Sequence, residues 1–322
     1  MSKSIKRKSM QRASAFAPAT VANVAVGFDI MGFALEGLGE VATVERIPLA
    51  DQASPVIIGP IKGFPEIVTE PEKNTAGAGL LRLIQDQKLK FGFRVQLVKQ
   101  IPVGSGLGGS STSAVAALVA ANALLDKSLS PHQILEYALI GEEVASGSRH
   151  ADNVGPCLLG GLLFVRSFPR LSYAKIKTPS TVRVVILLPK LSIKTKEARQ
   201  ILKPEVPLSR VIEQTANLTG FILGCVSKDL QLIRESLRDA IIEPQRAALI
   251  PGFSRIQLAA MNAGALGCSI SGSGPAMFAL APDQKTAVKI QKQMRAACEA
   301  AGTPVYGSWI SGISKRGAHL NP

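Results

Sequence analysis

The chain has 322 residues, of which 46% are hydrophobic, and this length suits about two domains with well-filled cores. Only 5% of the residues are aromatic, which argues against a surface that stacks single-stranded nucleic acid bases. The formal net charge of +14 attracts anions, including phosphorylated substrates, and leaves a nucleic-acid-binding protein open as an alternative.

Signals for export or membrane insertion are weak. Residues 1–13 carry five basic residues and no acid, but no apolar segment of a secretory signal follows, so we expect a solvated basic tail. The longest uncharged stretches, 101–125 and 257–282, are broken by Gly, Ser and Asn and lack the ~20 apolar residues of a membrane span. No membrane partner is therefore expected. The widely spaced cysteines predict reduced thiols and a cytoplasmic location.

The first half of the chain predicts strands followed by helices. Strands with alternating apolar residues are expected over SAFAPATV, GFALEGL and VATVERI. Asn74 and Thr75 precede an apolar pattern of helical period, AGAGLLRLIQDQ, and either residue is expected to cap that helix. Ser130 before Pro131 predicts another helix, from Pro131 to about Ser146. The strand LLFVRSF then closes a first domain over residues 14–166.

The second half predicts a further domain over residues 167–322. It begins with the strand VRVVILLP and continues through helical patterns in TKEARQIL, VIEQTANLTGFILGCV, LQLIRESLRDAI and SRIQLAAMNA. Two apolar strands around Ser271–Pro275, a helix over Ala287–Ala301 and the strand VYGSWI follow. Strand, helix and strand pieces in this order favour an α+β fold.

A glycine-rich loop, Gly104–Ser111, lies between the predicted strand FRVQLVKQI and an Ala-rich segment. Exposed backbone N–H groups and the positive end of a helix dipole suit phosphate oxygens. The glycines match G-x-G-x-x-G, but the second strand and the acid of a dinucleotide-binding fold do not follow. The lysine of a P-loop is also missing, because Ser110 and Ser111 stand in its place. The segment predicts a lysine-free anion-binding loop, with a tight turn as the alternative.

Two other segments bear on this loop. Glu142 and Glu143 form an acidic pair among small apolar residues of the next helix. One of them suits Mg²⁺ beside a triphosphate, since this ion takes one or two carboxylates plus phosphate oxygens. Taken without the other motifs, the pair favours two exposed helix carboxylates. Ser271–Pro275 either closes over phosphates or simply turns the chain.

Three segments in one order resemble the motifs of the kinase superfamily that phosphorylates galactose, homoserine, mevalonate and phosphomevalonate, the GHMP kinases: Pro18–Asp29, Pro102–Ser111 and Gly267–Pro275. The local signatures APATVANVAVGFDIMGFAL, RHADNVGPCLLGG, TKEAR and EPQRAALIPG are most similar to the homoserine kinase family. The likeness spans residues 14–312. It departs at Ala25-Val26, where many relatives have Gly-Pro, and at Gly109, where many have Ser.

The resemblance implies a two-domain GHMP kinase fold with an N-terminal domain like domain 2 of ribosomal protein S5 and a ferredoxin-like C-terminal domain. It implies phosphorylation of the side-chain hydroxyl of L-homoserine by ATP with Mg²⁺, without a nucleic acid partner, and leaves a homodimer open. Asn74 and Thr75 would neighbour the nucleotide. The ATP phosphates would lie on the loop residues Pro102, Val103, Gly104, Ser105, Gly106, Leu107, Gly108, Gly109, Ser110 and Ser111.

The resemblance also assigns the remaining site residues. Ser110 and Glu142 would hold Mg²⁺, and both join Asn153 as catalytic candidates. An acid suits the substrate ammonium, and two arginines suit its carboxylate through their forked geometry. The residues carried over for substrate binding are Asn23, Asp29, His150, Asn153, Thr195, Arg199 and Arg246.

Some members of the superfamily use an Asp as base near the position of Asn153. An amide takes no proton, so catalysis here would rely on positioning and charge stabilisation. Asp152 is adjacent, but neighbouring side chains usually point apart, and we do not expect it to be the base. A mevalonate-type or sugar-type kinase is the alternative enzyme. The missing Asp and the paired arginines favour an amino-acid substrate.

Overall fold

The computed structural model describes residues 10–49, 54–147, 149–167 and 170–321. Residues 1–9 of the predicted basic tail lie outside this set. The end of that tail was placed too late, because Arg12 and Ala13 already belong to the first strand and Ala13 is buried.

The first sheet contains β1 (Arg12–Ala22), β2 (Met31–Pro48), β3 (Val56–Ile58), β4 (Phe91–Val98), β5 (Leu162–Arg166) and β6 (Ser172–Ile176). The second contains β7 (Arg183–Pro189), β8 (Gly267–Ile270), β9 (Met277–Ala281) and β10 (Val305–Ser311), in the order β10-β7-β9-β8. A short strand near the end of the chain, β11 (His319–Leu320), returns to pair with β1. The first sheet therefore has the order β11-β1-β2-β4-β3, with β5 on β2 and β6 on β5.

The helices pack against these sheets. Those of the first half are α1 (Thr75–Asp86), α2 (Gly109–Ala123), α3 (Pro131–Ser146) and α4 (Ala151–Leu159). Those of the second half are α5 (Thr195–Gln200), α6 (Leu208–Ser227), α7 (Leu230–Ser236), α8 (Glu243–Arg246), α9 (Phe253–Asn262) and α10 (Gln284–Ala300). No helix in the described part of the chain is long and apolar enough to cross a membrane.

The predicted helix starts of the first half are confirmed by their caps. The Asn74 side chain accepts a hydrogen bond from the backbone N–H of Ala76 at the start of α1. Ser130 and Gln133 form a reciprocal capping box at the start of α3, with Pro131 in the first helical position.

The two predicted strands GFALEGL and VATVERI are one continuous strand, β2. Gly37 has a left-handed backbone conformation there, and the register with β1 shifts between Pro18 and Thr20. The glycines thus produce an irregularity within a strand instead of a turn between two strands.

The first sheet extends beyond the predicted domain end at residue 166. β6 pairs with β5 over its whole length, so the chain leaves this sheet only after Ile176. The exact division between the domains remains a prediction.

A shared hydrophobic core joins the two domains. Along β7, Val185 and Leu187 face α9 and α10, whereas Ile186 packs in a cluster with residues of the first sheet. In that shared cluster the rings of Phe33 from β2 and Phe278 from β9 meet edge to face, with centroids 6.0 Å apart. The two domains are therefore joined by a common hydrophobic cluster to which both sheets contribute.

Candidate active site

A cavity of about 670 Å³ lies between the domains and is lined by residues from both. It brings together most of the predicted site residues: Asn23, Asp29, Asn74, Thr75, Pro102, Val103, Gly104, Ser105, Gly106, Gly108, Gly109, Ser110, Glu142, His150, Asn153, Thr195, Arg199 and Arg246. Two predicted residues do not line it. Leu107 packs in the shared core, and the buried Ser111 side chain contacts Glu142 behind the loop.

The three motif segments contact one another beside the cavity. The Ser271 hydroxyl donates a hydrogen bond to the Gly106 carbonyl oxygen (2.7 Å), and the Asn23 amide donates to the Gly272 carbonyl oxygen (2.9 Å). Gly106 has φ +80°, and a Cβ there would lie 2.4 Å from the Ser271 carbonyl oxygen. This close approach requires glycine on both steric and conformational grounds.

The glycine loop ends where α2 begins, at Gly109. Gly104 and Gly108 also have positive φ angles, +69° and +70°. The first N–H groups of a helix have no partner within it, and α2 opens directly on the cavity. These N–H groups and the helix dipole make the loop suitable for phosphate oxygens.

A buried ion pair supports the start of α2, and sequence reasoning missed it. The Lys99 ammonium donates to Glu40 (2.7 Å), to the Gly109 carbonyl oxygen (2.9 Å) and to the Ser113 hydroxyl (2.8 Å). Glu40 also accepts from the hydroxyls of Thr112 and Ser113. Glu40 balances the charge of Lys99, and these three hydrogen bonds use all the N–H donors of its ammonium, so the network fixes the first turn of α2 beside the cavity.

Oxygen atoms that suit Mg²⁺ converge beside the loop. Ser110 and Ser111 each donate a hydroxyl hydrogen bond to the same Glu142 oxygen, at 3.1 and 2.9 Å. Glu142 is buried, whereas Glu143 is exposed and pairs with Arg149 (2.8 Å). Among the described residues there is no cluster of three or more His, Cys, Asp or Glu side chains. The Glu142 carboxylate and the Ser110 hydroxyl, which both line the cavity, fit a Mg²⁺ ion that completes its shell with phosphate oxygens and water.

The opposite end of the cavity is charged. Asp29 and Arg199 form a two-pronged ion pair, with distances of 2.8 and 3.0 Å between their oxygen and nitrogen atoms. The His150 ring nitrogen lies 3.6 Å from Asp29, and burial lowers the pKa of His150. Hydrogen bonding to Asp29 raises the pKa of Arg199, whereas burial, reinforced by the charge of Arg199, lowers that of Arg246.

Phe28 holds the two arginines near each other. The guanidinium carbons of Arg199 and Arg246 lie 5.2 and 5.1 Å from the centre of its ring. Arg246 is 3% exposed and donates to the carbonyl oxygens of Ala198 (3.0 Å) and Gly272 (3.1 Å), which fix its guanidinium.

The turn that presents Asp29 contains the Ala25 departure noted in the sequence. Asn23, Val24 and Ala25 have φ angles of +69°, +45° and +55°, and Asp29 has +61°. Alanine is less favourable than glycine in this region, so the turn stores strain at Ala25.

Asp152 lines the cavity together with Asn153, contrary to our expectation that the neighbouring side chains would point apart. Both lie in the first turn of α4, where successive side chains are only about 100° apart. The Asp152 Oδ1 atom is buried without a hydrogen-bond partner. Burial, with the charges of Asp29 and Glu142, raises the pKa of Asp152 to about 8.

Asn153 has a partner that the sequence did not reveal. The Thr20 hydroxyl donates to the Asn153 side-chain oxygen (2.7 Å), so the Asn153 amide nitrogen is the group free to be turned to a ligand. Other predicted residues make weaker or structural contacts. The hydroxyls of Thr195 and Ser273 are 3.4 Å apart, and Asn74 uses its amide to cap α1 and to bind the Val68 carbonyl oxygen.

Comparison with known proteins agrees with this geometry. The family models GHMP kinases N terminal domain and GHMP kinases C terminal match residues 74–161 and 221–300. A homoserine kinase of Xylella fastidiosa (strain M12) is 44% identical over 310 residues, which cover 96% of this chain and 94% of the relative. A homoserine kinase of Xanthomonas campestris pv. campestris is 42% identical, covering 97% of this chain and 95% of the relative.

Solved structures give the same result. The crystal structure of a homoserine kinase from Cytophaga hutchinsonii superposes with a TM-score of 0.92 at 38% identity, covering 98% of this chain and 99% of the other. A mevalonate kinase from L. major, in complex with R-mevalonate, has a TM-score of 0.70 at 16% identity, covering 97% of this chain and 98% of the other, and shares the fold alone.

Proposed function

The chain belongs to the GHMP kinases and, within them, to the homoserine kinases, and on this premise we propose how its cavity holds the two substrates. The fold is the two-domain GHMP kinase fold, as the sequence predicted. The protein is an ATP-dependent kinase that phosphorylates the side-chain hydroxyl of L-homoserine and forms O-phospho-L-homoserine and ADP. The mevalonate-type, sugar-type and nucleic-acid-binding alternatives are not favoured by these relatives.

The proposed arrangement follows from the opposite character of the two cavity ends. The phosphates of ATP lie on Gly104–Ser111, and the substrate lies at the charged end with Asp29, Arg199 and Arg246. Asp29 offers a carboxylate to an ammonium group, and the arginines offer forks to a carboxylate. This combination of one acid and two arginines, facing the phosphate loop across one cavity, is the observation that carries the proposal.

Phosphoryl transfer in this site depends on positioning and charge. The N–H groups at the start of α2, braced by the Lys99–Glu40 pair, hold the phosphate oxygens. Glu142 and Ser110 would hold Mg²⁺, which would neutralise charge on the transferring group. The Asn153 amide, fixed through Thr20, orients the substrate hydroxyl. Burial raises the pKa of Asp152 to about 8, so this carboxyl is mostly protonated at neutral pH, and the proposed arrangement assigns it no role as base.

A panel of acceptors tests the proposal. Purified protein with Mg-ATP is incubated with L-homoserine, L-serine, mevalonate or galactose, and ADP release is followed. We expect turnover with L-homoserine well above the other three. Turnover with mevalonate or galactose but not with L-homoserine would contradict the assignment.

We propose that two copies associate through α6. Its exposed side carries four uncharged apolar side chains, Leu208, Ile212, Leu223 and Val226. Between them, Thr215 and Thr219 donate their hydroxyls to carbonyl oxygens of the same helix. Because the pattern is similar in both directions, an antiparallel second copy would match it. We expect Ile212→Glu to lower the sedimentation coefficient to that of a monomer.

A cytoplasmic location is also proposed, supported by four buried free cysteines.

A further inference from the structure

The Asp29–Arg199 ion pair lies where the proposed substrate must bind. Both carboxylate oxygens and both terminal guanidinium nitrogens are used in this pair. The Asp29 side chain is 26% exposed and that of Arg199 is 36% exposed, so both are accessible from the cavity. Each residue is therefore already bound to a group that imitates part of an amino acid: Arg199 to a carboxylate and Asp29 to a cation.

Arg246 differs from Arg199 in its partners. Backbone carbonyl oxygens of Ala198 and Gly272 hold its guanidinium, and no carboxylate among the described residues lies within 4.0 Å ion-pair distance of it. Arg246 can bind a substrate carboxylate without giving up an ion pair. Arg199 cannot do so with its terminal nitrogens unless it releases Asp29.

Counting ion pairs separates three classes of ligand. Opening the Asp29–Arg199 pair loses one ion pair. A zwitterionic amino acid replaces it with two, one on each side chain. A hydroxy acid or an amino alcohol replaces it with one and leaves the other charge without its partner. An unpaired, partly buried charge is costly, so the last two classes gain little by opening the pair.

We propose that the Asp29–Arg199 ion pair is an intramolecular competitor that opens on substrate binding and selects zwitterionic hydroxy amino acids over hydroxy acids and amino alcohols. This inference rests on the proposed function. Asp29 then determines specificity in two ways. Its carboxylate binds the ammonium of an amino acid, and it weakens the binding of ligands that carry only a carboxylate, because it competes with them for Arg199.

The alternative geometry keeps the pair closed. In it, the substrate carboxylate binds Arg246 and the Nε side of Arg199, while the ammonium approaches the outer side of Asp29. Removing the Asp29 charge would then weaken or leave unchanged the binding of a hydroxy acid, because Arg199 would lose the group that orients it.

The first test measures dissociation constants by calorimetry for L-homoserine and for 4-hydroxybutyrate, which lacks the ammonium. In Asp29→Asn we expect 4-hydroxybutyrate to bind about three- to tenfold tighter than in the wild type, and L-homoserine to bind at least about tenfold weaker. The matched control is Glu66→Gln, which removes a negative charge from the same cavity but no partner of Arg199. It should leave the affinity for 4-hydroxybutyrate within about twofold.

A second variant probes the other half of the pair. Arg199→Met keeps the stem over Phe28 but removes the guanidinium partner of Asp29, so L-homoserinol, which lacks the carboxylate, should bind about three- to tenfold tighter than to the wild type. Lys196→Met removes a cavity cation that is not paired with Asp29 and serves as its control. Thermal unfolding of each variant verifies that it is folded.

The outcomes separate this inference from the proposed function. If the wild type turns over L-homoserine but neither variant gains affinity for its single-charge ligand, the ion-pair exchange is wrong and the kinase assignment stands. Equal gains in the control variants would also overturn it, because they would indicate a general effect of cavity charge. If the wild type neither binds nor phosphorylates L-homoserine, both proposals fail.

Discussion

The two ends of the cavity are constructed differently. The phosphate end is centred on one continuous stretch, Gly104–Ser111, in which Gly104, Gly106 and Gly108 adopt left-handed conformations and whose last residues open α2. The substrate end assembles side chains from distant segments: Asp29 and Arg199 are 170 residues apart in sequence. The conformation of the loop at the phosphate end is determined largely by its own residues, whereas the substrate end forms only once both domains have packed. Substitutions at the two ends should therefore change different kinetic constants.

The largest effect is expected at the phosphate end. Glu142→Ala should lower kcat by about a hundredfold or more, because a carboxylate suited to Mg²⁺ is lost and the charge on the transferring group is less neutralised. Steady-state kinetics over a range of Mg²⁺ concentrations measure this. Glu143→Ala is the control, since that side chain is exposed and pairs with Arg149. A greater loss in Glu143→Ala would mean that the other glutamate faces the metal.

At the substrate end, Arg246→Ala should lower kcat/KM for L-homoserine by roughly tenfold to a few hundredfold and leave the KM for ATP unchanged. Lysine should restore little, because it lacks the planar fork. Arg255→Ala, an exposed arginine of the same domain, is the control. Normal L-homoserine kinetics in a folded Arg246→Ala variant would remove this residue from the carboxylate site.

Gly106 lies where the two ends meet, and its substitution should damage both. A Cβ at this position would lie 2.4 Å from the Ser271 carbonyl oxygen. We expect Gly106→Ala to lower the free energy of unfolding by about 3 kcal/mol and to raise the KM values for both substrates. Gly37→Ala provides the control, because Gly37 also has a positive φ but a Cβ there meets nothing within 4 Å. It should cost only about 1 kcal/mol. Equal losses of unfolding free energy would assign the effect to backbone strain alone.

The smallest effect concerns the pH dependence of stability. The folded pKa of Asp152, about 8, is above the unfolded value of about 3.9, so its contribution to stability is full below pH ~4 and is lost as the pH rises towards 8. An amide imitates the protonated acid. Asp152→Asn should therefore unfold at a higher temperature than the wild type at pH 8.5, with little difference at pH 4.5. Asp126→Asn, at an exposed position, should show no such trend. A pH-independent difference between Asp152→Asn and the wild type would contradict the raised pKa.

Local signals in the sequence predicted much of the fold. Ser130 and Pro131 located the start of α3, and Asn74 that of α1, because capping depends on a few adjacent residues. The prediction of two strands in place of the single β2 was wrong, because whether a glycine ends a strand or bends it depends on the neighbouring strands.

The sequence does contain a signal for Lys99 and Glu40, the ion pair that supports the phosphate loop. Phe93, Val95 and Leu97 face the core on alternate positions of β4, and Lys99 continues the same series. Glu40 likewise continues the inward series of β2. A charged residue in phase with a buried face indicates a buried partner of opposite charge.

The substrate end had no comparable local signal. Nothing near Asp29 in the sequence indicates that its partner is Arg199, since that pairing depends on how the second domain packs on the first. The direction of the Asp152 side chain was predicted wrongly for a different reason: a rule that holds for strands was applied to the first turn of a helix.

The return of β11 to the first sheet has a consequence for the order of synthesis. Ala15 and Phe16 of β1 pair with Leu320 and His319, residues that leave the ribosome after the whole second domain. Until then, this edge of the first sheet has no strand beside it. Although domains usually fold in turn as they emerge, the sheet of this first domain is completed only by residues that follow the whole second domain.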